Sequence, residues 1–317
     1  MVEATQGLRK REMCKVQIVI YGHAVNALAI IVLGGIIGFI CGAFGVGGGF
    51  LLTPMLHVVL GIPYPIAIGS NLSQMIGTST AAFLRHKHYG HVDMKLALTI
   101  MIPMLVGVEW GAWILESLKH HPPITIGGHT FPALSLAMNA LFATLLICVA
   151  IGMAREAYRR LRTDAHDIAE LRGILQEFTI PPIMSFPDSG VQRLSLVSIC
   201  IVSGIIGAAR GLLGIGGVFM LPALVYSFGV PTHTAIGVNL VAVLASAIYG
   251  GFTHALKGNV DLRLVMLMLV SSTIMAQVGA HITTRARPAE LRLAFSGIVL
   301  IAALLVLWKL WMLWHAG

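Results

Sequence analysis

The sequence predicts an all-α protein, a polytopic bundle of transmembrane helices built from two homologous repeats, each with a glycine-broken helix. Three observations lead to this fold class: the composition, long apolar blocks and a glycine-rich pattern that occurs twice. Hydrophobic residues make up 57% of the 317 residues, charged residues make up only 11%, and the mean hydropathy is +0.86. The surface of a soluble domain needs more charge than this to stay hydrated, so the composition excludes an ordinary soluble protein.

The apolar residues fall into long blocks. A membrane-spanning helix needs roughly 20 predominantly apolar residues, and every block reaches that length. We therefore expect about 8–10 membrane segments in the bundle. The blocks are 24–61, 65–84, 96–118, 132–153, 194–229, 232–255, 262–284 and 293–314.

One pattern occurs twice in the chain. GAFGVGGGFLLTP at 42–54 is followed much later by GLLGIGGVFMLPA at 211–223. Identical residues then recur in the same order at a constant offset, which is hard to obtain by chance. The matched pairs include Pro63 with Pro231, Gly69 with Gly237, Asn71 with Asn239, His86 with His254, Asp93 with Asp261 and Gly111 with Gly279. The chain is thus predicted to consist of repeats at 1–153 and 193–317, joined by a charged linker at 154–192. The linker is predicted to contain an amphipathic helix, followed by a loop that contains prolines.

The basic residues suggest an orientation in the membrane. Lys and Arg concentrate in cytoplasmic loops, so the Arg-rich linker and the basic N-terminus are both predicted to be cytoplasmic. These placements agree only if block 24–61 crosses an odd number of times, which makes the halves parallel repeats. We prefer this interpretation, although it places Arg285, Arg287 and Arg292 outside. If both arms of the block cross fully, the repeats are inverted and the linker is outside; transporters use both arrangements.

Each glycine-rich stretch is predicted to break a helix inside the membrane. Irregular backbone is tolerated there only where it is buried in protein or lines a water-filled cavity. A half-helix that starts at a break exposes N–H groups and the positive end of its dipole, which suits an anion. Helix packing is the alternative, and we favour it for Gly34, Gly38 and Gly42. A binding site is favoured for the clustered glycines, which weaken a helix without improving its contacts: Gly45, Gly47, Gly48, Gly214, Gly216 and Gly217.

These features resemble the TauE/SafE sulfite-exporter family, also called the toluene-sulfonate uptake permease family. The resemblance rests on the paired GxGG breaks, on the GIP…AIGSN and GVP…AIGVN stretches, and on the G-x-V-D loop of each repeat. It covers about 27–115 and 194–300. It implies transport of sulfur-containing anions such as sulfite, sulfonates or sulfoacetate, mostly in bacterial cell membranes.

Polar residues inside the apolar blocks are candidates for substrate contact. Asn71 and Gln74 share one face of the helix after the first break, and Asn239 recurs in the second repeat. We favour hydrogen bonds to substrate oxygens over a role as polar contacts between helices. Arg210 precedes the second break, and its planar fork of donors suits a sulfite or sulfonate. The alternative, an arginine that snorkels to the membrane interface, is supported equally well by the sequence.

Glu109 lies near the middle of block 96–118, with Gln277 at the equivalent position of the second repeat. Burial in a membrane penalises a charged carboxyl, so Glu109 is a candidate to carry a proton coupled to anion movement. A permanently protonated structural glutamate is the alternative. Potential metal ligands occur in HKHYGHVD at 86–93, but the second repeat keeps only two of them, and no metal site is predicted.

The combined prediction is a secondary transporter that exports a small sulfur-containing anion from a bacterium across its inner membrane. No Walker motif for ATP occurs, and we expect no cofactor. An anion channel is an alternative, and a less favoured one is an intramembrane hydrolase using Ser79 and His86. The expected partners are the small anion and the lipid bilayer, with no nucleic acid, because the net charge of +8 belongs to the loops. A homodimer is left open.

Overall fold

The computed structural model describes residues 17–20, 23–44, 49–88, 92–126, 129–162, 175, 180–215, 217–283 and 288–316. Three antiparallel β-hairpins occur in these ranges: β1 (Gln17–Ile20) with β2 (His23–Asn26), β3 (Ile124–Ile126) with β4 (His129–Phe131), and β5 (Ile183–Phe186) with β6 (Val191–Ser195). The helices are α1 (Ala27–Phe44), α2 (Gly49–Leu60), α3 (Tyr64–His88), α4 (Met94–Lys119), α5 (Ala133–Arg162), α6 (Leu196–Leu213), the short α7 (Met220–Pro222) with a π-helical turn at Ala223–Ser227, α8 (Thr232–Leu256), α9 (Leu262–Thr283) and α10 (Pro288–Ala316).

The predicted fold class, a helical membrane bundle, is confirmed. Within the described ranges, five helices are long and apolar enough to cross a membrane: Met94–Lys119, Ala133–Arg155, Leu196–Leu213, Thr234–Leu256 and Leu262–Gly279. Many of their large apolar side chains are exposed in the isolated chain, such as Ile102, Trp110 and Ile205. Exposed apolar surface of this extent suits a helix that faces lipid.

The G-x-V-D pattern of each repeat ends at a helix N-cap. The Asp93 carboxylate accepts a hydrogen bond from the backbone N–H of Leu96 (2.9 Å) and caps α4. The Asp261 carboxylate accepts from the N–H groups of Arg263 (2.9 Å) and Leu264 (3.2 Å) at the start of α9. An aspartate at this position satisfies N–H groups that have no partner within the helix. The motif therefore fixes where the next helix of each repeat begins.

Glycines bring helices of the two repeats together in parallel pairs. On α6, Gly207 lies against Met104 of α4, and four residues later Gly211 lies against Val108. Residue numbers therefore rise in the same direction along both helices, so α4 and α6 are parallel. The same holds for α1 and α9, where Gly34 lies beside Met268 and Gly38 beside Ser272. This confirms the packing role predicted for Gly34 and Gly38.

The second long helices of the two repeats, α3 and α8, run in opposite directions. Gly69 of α3 lies beside Asn259, just after α8, whereas Ser73 lies beside Gly251. Further along α3, Met75 packs in one apolar cluster with Val243 and Ala247. Since α4 follows α3 and α9 follows α8 through short connections, each helix of one repeat runs opposite to its counterpart. The repeats are inverted, and the preferred interpretation of parallel repeats is wrong.

The error arises in block 24–61, where α2 crosses only part of the membrane. Its 12 residues span about 18 Å, well short of a hydrocarbon core of about 30 Å. The helix begins at Gly49, beside Asn71 of α3, and ends next to the start of α3, where the N–H of Ile62 donates to the Leu56 carbonyl (3.2 Å). It thus returns to the face at which α1 began, and the block makes no net crossing.

The two faces of the bundle can be named from these directions. The linker face is the one at which α4, α6 and α8 begin. There the hydroxyl of Ser189 donates to the Asp93 carboxylate (2.6 Å), and the Lys95 ammonium donates to the Ser185 carbonyl (2.8 Å). The opposite face is where α1, α3 and α9 begin. The described part of the linker thus lies at the face opposite to the start of α1. Residues 1–16 and most of the predicted linker helix lie outside the described residues, so the side of the basic N-terminus stays a prediction.

Candidate functional site

The second glycine break meets α3, the second helix after the first break. Asn71 of α3 is fully buried, and its amide nitrogen donates to the Gly49 carbonyl (2.9 Å) and the Gly214 carbonyl (2.9 Å). The Thr53 hydroxyl oxygen lies 3.0 Å from the same nitrogen. Asn71 therefore ties the start of α2 to the second break. Gly45, Gly47, Gly48 and Gly216 lie outside the described residues, so their role stays a prediction.

Gln74 extends this polar contact to α9. Its amide nitrogen lies 3.5 Å from the Asn71 side-chain oxygen, at the limit of a hydrogen bond, and its own oxygen accepts from the Ser272 hydroxyl (3.1 Å). Both side chains are buried. In the described arrangement, Asn71 and Gln74 thus hold helices and backbone in place with their polar atoms occupied.

At two positions of the second break, only glycine fits the backbone conformation or the space left by neighbouring groups. Gly214 ends α6 with φ +67°, a left-handed conformation that favours glycine, and its N–H donates to the Arg210 carbonyl (2.8 Å). A Cβ added at Gly214 would also lie only 3.0 Å from the Thr53 hydroxyl. At Gly217 an added Cβ would overlap the amide of Asn239. These two glycines therefore let the backbone approach both asparagines.

Arg210 lies inside the protein, directly before the second break. It is 1% exposed, so the alternative that it snorkels to the membrane interface is wrong. Its Nε donates to the Ile215 carbonyl (3.1 Å), and its Nη1 donates to the Ala242 carbonyl (3.1 Å) and to the Ser246 hydroxyl. Among the described residues, Arg210 forms no ion pair with an acid, and its buried Nη2 has no hydrogen-bond partner. The break thus contains a buried positive charge with a free donor.

Asn239 lies at the same break on α8. It is 8% exposed, and its amide nitrogen donates a long hydrogen bond to the Gly217 carbonyl (3.4 Å). Its side-chain oxygen is buried and has no partner in the described structure. Its counterpart in the first repeat, Asn71, has partners for both polar atoms. The two repeats therefore differ at this position, and the second one has unused hydrogen-bonding capacity.

Comparison with known proteins assigns the chain to a family. The model of the family described as sulfite exporter TauE/SafE matches residues 30–306. The chain belongs to this family. A probable membrane transporter protein of Xylella fastidiosa (strain 9a5c) is 29% identical over 282 residues, which cover 88% of this chain and 94% of that protein. The probable membrane transporter protein YjnA of Bacillus subtilis is 24% identical over 284 residues, covering 88% and 98%. No solved structure matches.

Membership makes this TauE/SafE protein a membrane transporter. Both relatives are named as probable membrane transporter proteins, and their names give no substrate. The burial of a charged side chain between glycine-broken segments is consistent with a transporter, because intramembrane ionisable residues usually mark the path of a substrate or ion. The sequence-based identification of the family is thereby confirmed.

In the TauE/SafE chain, Glu109 contacts the last turn of α8. Glu109 lies on α4, where it accepts a hydrogen bond from the Thr253 hydroxyl (3.1 Å) and pairs with the Lys257 ammonium (3.4 Å) at the end of α8. Gln277 is exposed on α9, and the structure does not bring it to Glu109. Proton coupling at these residues stays a prediction.

Sequence reasoning missed several groups that the structure brings to the site. Thr53 contacts Asn71, Ser272 contacts Gln74, and the Ala242 carbonyl contacts Arg210. Thr53 and Ser272 are polar residues inside apolar helices, a signal that was visible, but hydroxyls in such helices commonly bond their own backbone. The Ala242 carbonyl carries no sequence signal at all. His86 and His88 have no described side chains, and His91 lies outside the described residues.

Proposed function

We propose that this transporter is a secondary carrier that exports small sulfur-containing anions of the sulfite, sulfonate or sulfoacetate class. The observation that carries the proposal is Arg210, a buried cation beside the second break whose Nη2 has no partner in the described structure. A charge held away from water costs free energy unless it is paired. A bound oxyanion would supply the missing charge and accept from Nη2.

The chemistry of the guanidinium favours oxyanions over other small anions. Its planar fork of donors matches the oxygens of a sulfite or sulfonate, and such charge-assisted bonds are stronger than neutral ones. The four neutral acceptors already bound to Nε and Nη1, which include Met104 Sδ (3.4 Å), orient the guanidinium and leave Nη2 free. The glycines at the break let Asn239 and Asn71 approach the backbone beside Arg210 closely.

Export needs no further energy source for an anion. The inside-negative membrane potential drives an anion outwards with about 2.3 kcal/mol per charge per 100 mV. The family's description as sulfite exporter supports the same direction. We therefore place the site between the two broken segments, with access alternating between the faces of the inverted repeats.

The test is counterflow in proteoliposomes containing the full chain. Vesicles loaded with unlabelled sulfite are given labelled sulfite, and wild type is compared with Arg210→Met, Arg210→Lys and the exposed control Arg263→Gln. We expect saturable exchange in wild type and in the control. Arg210→Met should weaken sulfite binding about a hundredfold, since a buried charge-assisted contact is lost, and Arg210→Lys should be intermediate because it keeps the charge without the fork.

Two results would contradict the proposal. Exchange that survives in Arg210→Met at the wild-type sulfite affinity would remove Arg210 from the site. Sulfite flux without counterflow or saturation would show a channel instead of a carrier. Elution of each variant from a sizing column as the same species as wild type excludes misfolding as the cause of a lost signal.

A further inference from the structure

The second break contains two buried polar atoms of opposite kind, neither with a partner among the described residues. Arg210 Nη2 is a donor and Asn239 Oδ1 is an acceptor. Their residues are 1% and 8% exposed. Buried polar groups in folded proteins nearly always find partners, so each unpaired atom in such a place indicates a missing ligand or water.

The two side chains bind neighbouring parts of the same break. Arg210 binds the Ile215 carbonyl and Asn239 binds the Gly217 carbonyl, and these carbonyls are two residues apart in the same break. On α8, Asn239 also shares a helix face with Ala242 and Ser246, both of which contact the guanidinium. A ligand of a few heavy atoms at the break can therefore meet both side chains.

The orientation of the Asn239 amide follows from its neighbour. Its nitrogen faces the Gly217 carbonyl oxygen, and exchanging the amide atoms would place two acceptors against each other. The free atom is thus the oxygen, which can only accept. A ligand that satisfies the site needs acceptor oxygens for Arg210 and one hydrogen-bond donor for Asn239.

Resting on the proposed function, we propose that the site selects oxyanions that carry a hydrogen-bond donor on the same central atom. Hydrogen sulfite in its O–H form fits this description, and so does sulfamate, whose amine is attached to sulfur. A fully deprotonated sulfite or sulfate fits worse, because it leaves Asn239 Oδ1 unsatisfied and places a second acceptor beside it. Asn239 is then the residue that determines this specificity.

A matched pair of anions tests the proposal at one pH. Sulfamate and methanesulfonate have the same charge and nearly the same shape, but sulfamate has an NH₂ group where methanesulfonate has CH₃. Both are used as competitors of labelled sulfite exchange in proteoliposomes. We expect wild type to bind sulfamate about tenfold more tightly than methanesulfonate, since the latter leaves a buried acceptor unpaired.

Variants identify the acceptor responsible for this preference. Asn239→Leu should bring the affinity ratio of the two anions close to one while methanesulfonate still competes. Gly217→Ala should lower the ratio as well, because its Cβ displaces the Asn239 amide. The control is Asn71→Ser at the equivalent position of the first repeat, whose amide has its partners; it should weaken both anions alike and keep the ratio.

The outcomes separate this inference from the proposed function. Wild-type sulfite exchange with equal affinity for the two anions, or with no competition by either, overturns the donor requirement and leaves the carrier standing. A tenfold preference that persists in Asn239→Leu overturns the role of Asn239. Absence of sulfite exchange in wild type overturns the proposed function, and this inference with it.

Discussion

Glu109 is joined to α8 by a lysine, which bears on its predicted proton-carrying role. The Lys257 ammonium lies 3.4 Å from one carboxylate oxygen, and the Thr253 hydroxyl donates to the other. The two side chains are 44% and 23% exposed for Glu109 and Lys257 respectively. A proton on Glu109 would remove the charge that pairs with Lys257. Glu109 therefore cannot carry a proton and pair with Lys257 at the same time. Its protonation would change the contact between α4 and α8.

We expect Glu109→Gln to exchange sulfite but to lose the response of net sulfite efflux to a pH gradient. Glutamine keeps an acceptor for Thr253 and cannot carry a proton at this position. The measurement is net efflux from proteoliposomes with and without the gradient. Glu116→Gln is the matched control, since Glu116 lies further along α4 and pairs with Lys119 (3.2 Å). An unchanged pH response in Glu109→Gln would remove this residue from coupling.

Single residues of the site could be selected from the sequence, but their roles could not. Arg210 and Asn239 were found because polar residues are rare in apolar blocks and because both adjoin a glycine break. Whether Arg210 is buried or reaches the interface depends on α8 packing against it, and a distance counted along α6 contains no information about α8. Asn71 and Asn239 are identical in the repeat alignment, yet only Asn239 has an unpaired oxygen.

At the scale of helices, the contact between α4 and α6 depends on glycine. An added Cβ at Gly207 would overlap the Met104 carbonyl, whereas one at Gly204, on the same helix, would lie 3.7 Å from the Pro103 carbonyl. The first cannot be accommodated without moving a helix backbone. The second is an ordinary van der Waals contact.

We therefore expect Gly207→Ala to destabilise the protein by about 1–3 kcal/mol, as overpacking usually does. Gly204→Ala should be neutral or slightly stabilising, because alanine favours helix by about 1 kcal/mol over glycine. Thermal unfolding of both variants in detergent checks this pair. Equal stability of the two variants would show that the helices can separate at no cost, which would contradict the described contact.

Helices were easier to predict than their pairing. Block 96–118 corresponds to α4 (Met94–Lys119) and block 262–284 to α9 (Leu262–Thr283), because a long apolar run is sufficient to indicate a span. The β5–β6 hairpin was treated as a loop containing prolines, since its strands are short and lie outside the membrane. The pairing of α4 with α6 and of α1 with α9 is set by side-chain fit between distant segments, which periodicity does not reveal.

At the scale of the whole molecule, inversion of the repeats accounts for three basic residues that the parallel arrangement placed outside. In the parallel arrangement, the basic residues that follow α9 in the sequence were external. In the inverted one, α9 ends at the linker face, so Arg285, Arg287 and Arg292 follow a helix that ends on the same side as the Arg-rich linker. On this basis the positive-inside rule predicts a cytoplasmic linker face and an external start of α1.

Two cysteine positions distinguish the arrangements. Parallel repeats place the linker and the loop between α8 and α9 on one side, whereas inverted repeats place them on opposite sides. Asp188 of the linker and Gly258 of that loop are both exposed, and no atom lies within 4 Å of a Cβ added at Gly258. In a chain whose four native cysteines are replaced, we expect a membrane-impermeant maleimide to label Gly258→Cys in intact cells.

Asp188→Cys should react only after the cells are opened, because it lies on the cytoplasmic side in this orientation. Labelling of both positions in intact cells, or of neither, would contradict inverted repeats. Labelling of Asp188→Cys alone would keep the inversion and reverse the orientation, and the positive-inside assignment would be wrong. The Gly258 position has φ +71°, so a side chain there carries a strain of roughly 1 kcal/mol, and sulfite exchange by the variant verifies that it is folded.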